Sequence, residues 1–455
     1  MALVKGALLD GALILDTRCR DATTTVGYTS QDGRPPRRPF LSVLTIPIRG
    51  ASGWGFLTST LENPGIMSDL STRLEALARK HRLDERSERS QLSVTTYFSD
   101  ALFKRELELI FQHGPRYLGH ELAVPEVGDY HALPQEGEGR ALVRTAHGVE
   151  LLSNVCRHRQ ALMLRGRGNT RHNAPGHSGG NIVCPLHRWT YSMQGELLGA
   201  PLFDHDPCLN LQRYKTRSWN GMVFEDNGRD IATELGQVGP KADLDFTGYV
   251  LDKVHVHECD YNWKTFIEVY LEDYHVGPFH PGLGRFVTCD DLKWEFSPHH
   301  SVQTVGINDS LRQAGSPAYK RWHAAVLALG NGQPPKQGAI WLTYYPHIMV
   351  EWYPHVLVVS TLYPKGPQKT INMVEFYYPE EIAAFEREFI ESEQAAYMET
   401  CVEDDEIALR MDAGRRALME RGDDEAGPYQ SPMEDGMQHF HEWYRRVMGI
   451  GRAPW

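Results

Sequence analysis

Apolar positions recur at helical spacing first in 67–80, where Leu70, Leu74, Leu77 and Ala78 mark one face. A second stripe of Phe103, Leu107, Ile110 and Phe111 predicts a short helix over 100–112, with Ser99 as N-cap. From 118 to 227 the pattern changes to short β-type runs divided by turns. Runs at 140–144 and 149–155 predict a hairpin around His147-Gly148. Residues 228–245 read as a linker. Strand-like runs then appear at 248–257, 340–350, 356–363 and 370–378 and alternate with helical patterns. One such helix is predicted over 262–275. A long charged helix starts near 380, with Ile382, Phe385 and Phe389 on one face. A C-terminal helix opens on Ser431-Pro-Met-Glu434, a capping box with Pro at N1, and carries a stripe of Met437, Phe440, Tyr444 and Val447. Separated helices and strands predict an α+β second domain.

A chain of 455 residues is long enough for two or three domains. The expected division is 67–115 as an N-terminal helical segment, 116–230 as an all-β domain and 245–455 as an α+β domain. Residues 1–66 are rich in Gly, Thr, Arg and Pro and show no sustained period. They are expected to be a poorly ordered extension, or to precede a natural start at Met67. A net charge of −12 argues against nucleic acid and anionic membrane surfaces as partners. No apolar run is long enough to span a bilayer. The apolar stretch 7–15 is broken by Asp10 and no cleavage site follows, so no signal peptide is expected. Seven cysteines are sparse and odd in number, which fits a reducing cytoplasm better than a disulfide scaffold.

The chemistry concentrates in two places. Cys156-Arg-His158 and Cys184-Pro-Leu-His187 each pair one thiolate with one imidazole, on loops that follow the β-type runs 151–155 and 181–183. A Rieske [2Fe–2S] centre needs that donor set, with two cysteines on one iron and two histidines on the other. The rival is a Cys₂His₂ zinc site. Zinc fingers order their ligands Cys-Cys then His-His, whereas here the order is Cys-His then Cys-His. The second place is His275 and His280. Five residues apart on an unbroken helix they would diverge by ~140°, but Gly277-Pro278 breaks the helix and lets His280 swing back. Two histidines and a carboxylate make the facial triad of non-haem Fe(II) oxygenases, and Asp404, in the acidic run 403–406, is the candidate third ligand. Taken alone, the two histidines read as interior or turn residues and the acidic run as a solvated face. The case rests on both centres occurring in one chain, because a Rieske centre needs an acceptor.

Several motifs together resemble the Rieske non-haem iron oxygenases of the ring-hydroxylating α-subunit superfamily. They are Asn154-Val-Cys-Arg-His-Arg159; Cys184-Pro-Leu-His-Arg-Trp-Thr-Tyr191 with Gly195 and Leu197; Asn262-Trp-Lys264 with Glu272-Asp-Tyr-His275 and His280; and Glu403-Asp404 with Gly414. The resemblance implies an all-β Rieske domain followed by a catalytic domain whose antiparallel sheet is flanked by helices. It implies a [2Fe–2S] cluster on Cys156, His158, Cys184 and His187, and mononuclear Fe(II) on His275, His280 and Asp404, with Asp404 preferred to Asp405. O₂ is then the co-substrate, and electrons come from NAD(P)H through a separate reductase or ferredoxin. The family commonly assembles as a head-to-tail trimer, in which a carboxylate bridges histidine ligands of the two centres. Glu272 takes that place here, between His275 and His187 or His158. Glu272 matches relatives acting on choline, betaine and carnitine, whereas classical aromatic dioxygenases carry Asp. Asn262 is a candidate group near the iron, or the cap of its own helix.

The sequence departs from the pattern in three ways. Relatives acting on choline, betaine and carnitine continue Glu-Cys-Tyr-His-Cys, where this chain has Glu272-Asp-Tyr-His-Val276. The 25 residues from 159 to 183 exceed the usual loop, and the stretch 169–180, with His172 and His177, reads as a flexible insertion without ligands. Arg188 stands where many relatives have Gly. The expected activity is hydroxylation or demethylation of a small aromatic or N-methylated substrate. A Rieske electron-transfer protein without oxygenase activity and a zinc hydrolase are the competing classes. Trp341, Tyr344, Tyr345, Trp352 and Tyr353 are either core or the walls of a pocket, aromatic rings being suited to caging a trimethylammonium group.

Overall fold

The computed structural model describes residues 91–171 and 180–450. Before them it gives only the backbone pairing of two hairpins, Gly6–Leu9 with Ala12–Leu15 and Val43–Gly50 with Gly53–Thr60. Those hairpins belong to a unit of their own, 1–75, and they correct the expectation that no strand period runs through 1–66. The remaining expectations for 1–66, the helix at 67–80 and most of the insertion with His172 and His177 lie outside the described residues.

The helix expected at 100–112 forms as Asp100–Glu106 and continues into a wider π-type turn, Leu107–Phe111, with the Ser99 hydroxyl accepting from Leu102 N at 3.3 Å. The first β region holds a five-stranded antiparallel sheet, in the order Arg213–Tyr214, Gly148–Ser153, Arg140–Thr145, Asp129–Ala132, Arg167–Asn169. The predicted hairpin is there, with Thr145 opposite Gly148. A small sheet of Ile182–Val183, Thr190–Tyr191 and Leu197–Gly199 packs on it through Ile182, Trp189, Tyr191, Val143 and Leu152.

The second region is built on one seven-stranded antiparallel sheet. Its order is Tyr249–Cys259, Lys369–Pro379, Val356–Gly366, Ile348–Tyr353, Ala339–Tyr344, His300–Ile307, Val287–Phe296. Strand side chains alternate between faces. Val356, Val358, Trp341 and Tyr353 therefore face one layer, where the helices Pro317–Leu329 and Arg387–Arg421 pack. Leu357, Val359, Leu342 and Tyr344 face the other, against Trp219, Met222 and Phe224 of the β domain. The C-terminal helix Asp435–Met448 closes a third cluster with Ile110, Trp263 and Ile267.

Five boundaries differ from expectation. The run 340–350 is two strands joined at Tyr345-Pro346-His347, where proline has no N–H for the ladder. The segment 228–245 is not a free linker: it holds the short helix Ile231–Glu234, and Ile231, Leu235, Val238 and Leu244 are core. The helix expected over 262–275 is Trp263–Tyr270. The chain beyond it is captured by the C-terminal segment, with Met437 N donating to Leu271 O at 3.1 Å and Asp273 N to Met433 O at 3.0 Å. The helix near 380 breaks at Glu386 into Glu380–Phe385 and Arg387–Arg421, which leaves Phe385 exposed. The capping box at 431–434 is not formed. Glu434 instead reaches back to Gln430 N, and the helix starts at Asp435.

Candidate metal centres and active site

Two tight turns of the β domain have the same construction. Gln160 N donates to Cys156 O at 3.0 Å, and Arg188 N to Cys184 O at 3.1 Å. Both closing residues have left-handed backbone, φ +56° at Gln160 and +61° at Arg188. That conformation is why glycine suits the Arg188 position. Each turn presents its Cys and its His together. Cys156 and Cys184 are buried, and the rings of His158 and His187 lie 4.8 Å apart. The His158 ring stacks on Trp189 at 5.0 Å, while His187 is exposed. His158 Nδ1 is shielded from solvent yet has no hydrogen-bond partner. Two buried thiols with the imidazoles of His158 and His187 beside them match the donor set of a Rieske cluster. The Tyr191 hydroxyl stands 3.6 Å from Cys156 Sγ, and hydrogen bonds to cluster sulfurs set potential.

The second centre forms where the break after Tyr270 meets the long helix Arg387–Arg421. His275, His280 and Asp404 bring one ligand atom each within 4.8 Å of one another. His280 Nε2 is 2.9 Å, and His275 Nε2 3.5 Å, from Asp404 Oδ1. The other ring nitrogens are already committed. His275 Nδ1 donates to Glu272 Oε1 at 2.6 Å and His280 Nδ1 to Glu403 Oε2 at 2.7 Å. In that tautomer both Nε2 lone pairs point at an oxygen that itself has no hydrogen-bond partner. Three electron-pair donors facing one point call for a cation, and carboxylates behind metal-binding imidazoles fix such rings.

Asp405, its neighbour, points elsewhere. It takes His257 Nε2 at 2.8 Å and the Tyr261 hydroxyl at 2.7 Å, with Cys259 Sγ 3.8 Å from His257 Nδ1. These contacts tie the edge strand to the long helix and turn Asp404 toward the histidines. His257, Cys259 and Asp405 form the second close His/Cys/Asp group among the described residues. Sequence reading missed it because its members meet only in the fold.

Of the two roles expected for Asn262, the structure shows the helix cap. Its Oδ1 accepts from Lys264 N at 2.9 Å, and its amide donates to Tyr97 O at 2.9 Å and Pro367 O at 2.6 Å. Every polar atom of the side chain is used at the helix start, so Asn262 is a cap with no group free for the iron site. Of the five aromatics considered, Trp341 and Tyr353 line the pocket beside His275 and His280. Tyr344 faces the opposite layer and bonds Glu234, Trp352 packs there too, and Tyr345 bonds His439 at 2.9 Å. Of the pocket's other acids, Asp273 fell inside the motif Glu272-Asp-Tyr-His275 without a role, and Glu351 and Glu393 were not singled out from the sequence. A single Glu in an apolar strand run was the only trace of Glu351. Among the described residues no Lys or Arg lines this pocket, and no helix is long and apolar enough to cross a membrane.

Residues 116–215 match the Rieske [2Fe-2S] domain, and 246–450 match the ring hydroxylating alpha subunit (catalytic domain). Putrescine 2-hydroxylase of Ralstonia nicotianae is 64% identical over 382 residues, covering 84% of this chain and 100% of that protein. Choline monooxygenase of Atriplex hortensis is 24% identical over 383 residues, covering 77% and 76%. Among solved structures, a quaternary ammonium Rieske monooxygenase in complex with an inhibitor superposes with a TM-score of 0.63 at 20% identity, covering 79% of this chain and 95% of that one. The cofactors of this two-domain architecture are a Rieske cluster and a mononuclear iron that uses O₂. The chain belongs to the Rieske oxygenases with a ring-hydroxylating α-subunit catalytic domain, and it is an oxidoreductase.

Proposed function

We propose that this chain is the terminal oxygenase of a system that hydroxylates putrescine or a closely similar small aliphatic diamine. The observation that carries this reading is the 64% identity to a putrescine 2-hydroxylase along that protein's whole length. The pocket agrees with it. A diamine is a dication near neutral pH, and the cavity at His275 and His280 offers carboxylates and aromatic faces without a competing cation. The expected aromatic or N-methylated substrate gives way to a primary diamine, because the relatives acting on choline stand at only 24% identity.

Cys156, His158, Cys184 and His187 would hold the cluster, and His275, His280 and Asp404 the iron. When bound, these groups supply electrons and O₂ activation, so that a C–H bond becomes C–OH with two electrons, two protons and one O₂ consumed and water released. The chain's own part is positional. Glu272 and Glu403 fix the two imidazoles through Nδ1. The long helix sets Asp404 against them. The rings of Tyr270, Tyr319, Trp322 and Trp341 keep bulk water from the substrate's methylenes.

Electron entry is from a reductase or ferredoxin, and the assembly is a trimer in which one subunit's cluster faces the next subunit's iron. Two exposed apolar residues favour that contact: Leu186, beside His187 in the chain, and Phe203, whose ring is 5.9 Å from His158. Glu272, half-buried with one oxygen on His275 Nδ1, is the carboxylate that bridges to the neighbour's His187 or His158. The test is O₂ consumption by the reconstituted holoenzyme with a reductase and putrescine. Hydroxyputrescine by mass is the expected product. Uncoupled or absent turnover with putrescine, alongside turnover of choline or an aromatic acid, would overturn the assignment.

A further inference from the structure

The pocket holds three buried carboxylates, and they are not equivalent. Asp273 lies beside Glu272 and His275 at the iron end. The others are ordered by the long helix. Asp404, Tyr397 and Glu393 follow one another at spacings of seven and four residues along Arg387–Arg421, and all three line the cavity. At a rise of 1.5 Å per residue, Tyr397 stands ~10 Å and Glu393 ~16 Å along the axis from Asp404. The Glu351 carboxylate lies at the end of the Tyr397 side chain, whose hydroxyl donates to Oε1 at 3.0 Å. The Tyr353 hydroxyl donates to Glu351 Oε2 at 3.0 Å, and Trp341 Nε1 donates in turn to Tyr353 at 2.9 Å. Both oxygens of Glu351 are thus aimed and held. The residue is only 2% exposed, yet no cation pairs with it among the described residues.

Building a fixed, unpaired carboxylate into an aromatic cavity is costly unless a cation arrives to meet it. A four-carbon diamine, with bonds of about 1.5 Å, spans about 6 Å between nitrogens. Adding a hydrogen-bond length of ~2.8 Å at the carboxylate, its inner carbons fall within reach of the iron ligands from Glu351. From Glu393 they fall short by about a helical turn. We propose that Glu351 is the anchor for the substrate's distal ammonium, and that its distance from Asp404 selects a primary diamine of about four carbons over monoamines and quaternary amines. Tyr353 and Tyr397 are positioning residues for it. This inference deepens the diamine reading of the same pocket and rests on it.

The experiment compares wild type, E351Q, E351D and Y397F holoenzymes with full iron and an intact visible cluster spectrum. Putrescine and n-butylamine are offered to each. The wild type should prefer putrescine strongly. E351Q should raise KM for putrescine about 30-fold or more, as expected for losing one side of a desolvated charge pair, and bring the putrescine-to-butylamine ratio of kcat/KM near one. E351D should restore part of the preference and move its optimum toward a longer diamine. Y397F should shift KM less than E351Q and leave the ratio above one. An unchanged ratio in metal-replete E351Q would overturn the anchor, as would a collapse of the ratio in E393Q alone. Calorimetric binding of the C3 to C6 diamines reads the anchor without turnover. A diamine that binds wild type, loses affinity in E351Q and is never hydroxylated would keep the anchor and sink the reaction. No diamine binding to wild type would sink both.

Discussion

Two groups of buried acids in this molecule have opposite fates. Under the N-terminal and C-terminal helices, Glu106 meets Lys264 Nζ at 2.7 Å, with both side chains 0% exposed. Glu268 lies beside Arg415 and accepts from His441 Nε2 at 2.8 Å. Burial pushes Glu268 up, but Arg415 and His441 bring it down to about 2. In the pocket, burial acts on Glu351 and Glu393 without a cation, and they rise to about 7 and about 8 despite hydrogen bonds from tyrosines. The residue type and depth are the same. What differs is whether the chain supplies the counter-charge itself, and the difference separates a structural acid from one left for a ligand.

The comparison breaks most visibly at the paired end. Lys264→Met strands Glu106 in the core and should cost about 3–5 kcal/mol in chemical denaturation, because a lone buried charge is worse than no pair. Glu268→Gln should cost about 3 kcal/mol at pH 7. Its folded carboxyl is depressed to about 2, so its contribution is present above the unfolded value near 4.5. That contribution is lost as pH falls through 2, and variant and wild type should converge there.

Glu351→Gln should do the reverse. A carboxyl raised to about 7 in the fold favours folding fully only below the unfolded pKa, and that benefit is lost as pH rises through 7. The variant should therefore be more stable than wild type by about 1–3 kcal/mol at pH 8 and little changed at pH 4. A destabilised Glu351→Gln at pH 8 would mean that the site carries hidden compensation. The smallest effect is on binding. Glu351 faces Tyr353 on its own strand, Tyr270, and Tyr397, Glu393 and Asp404 of the long helix. None of these is cationic. With its carboxyl near 7, putrescine affinity should rise about tenfold from pH 6 to pH 8, a step that Glu351→Gln removes. Isothermal titration at the two pH values checks it.

The candidate ligand set was largely legible in the chain because its members are close in sequence or marked by rare types. Cys156 with His158, Cys184 with His187, and His275 with His280 each declare themselves by spacing. Asp404 could be nominated from the acidic run 403–406, but only the resemblance preferred it to Asp405, whose own partners, His257 and Tyr261, lie on and just after a strand nearly 150 residues away. Local readings failed where tertiary contacts override them. The helix after Asn262 was read five residues too long because Met433 and Met437, which bond the chain beyond Tyr270, come from the far end of the sequence. The two-strand split at Pro346 and the packed segment 228–245 were misread for the same reason. Glu351 was invisible, since one acid in an apolar run carries no sign of which face it occupies or what meets it there.

The long rod Arg387–Arg421 has one further consequence. It carries the aspartate that faces His275 and His280 and the phenol that steadies the anchor on a single rigid backbone, so the gap between them cannot be stretched gradually. Moving that phenol along the rod, to steady an acid placed nearer to or farther from the aspartate, would proceed in discrete rungs of ~5.4 Å, each worth about four methylenes, with finer adjustment left to side-chain length.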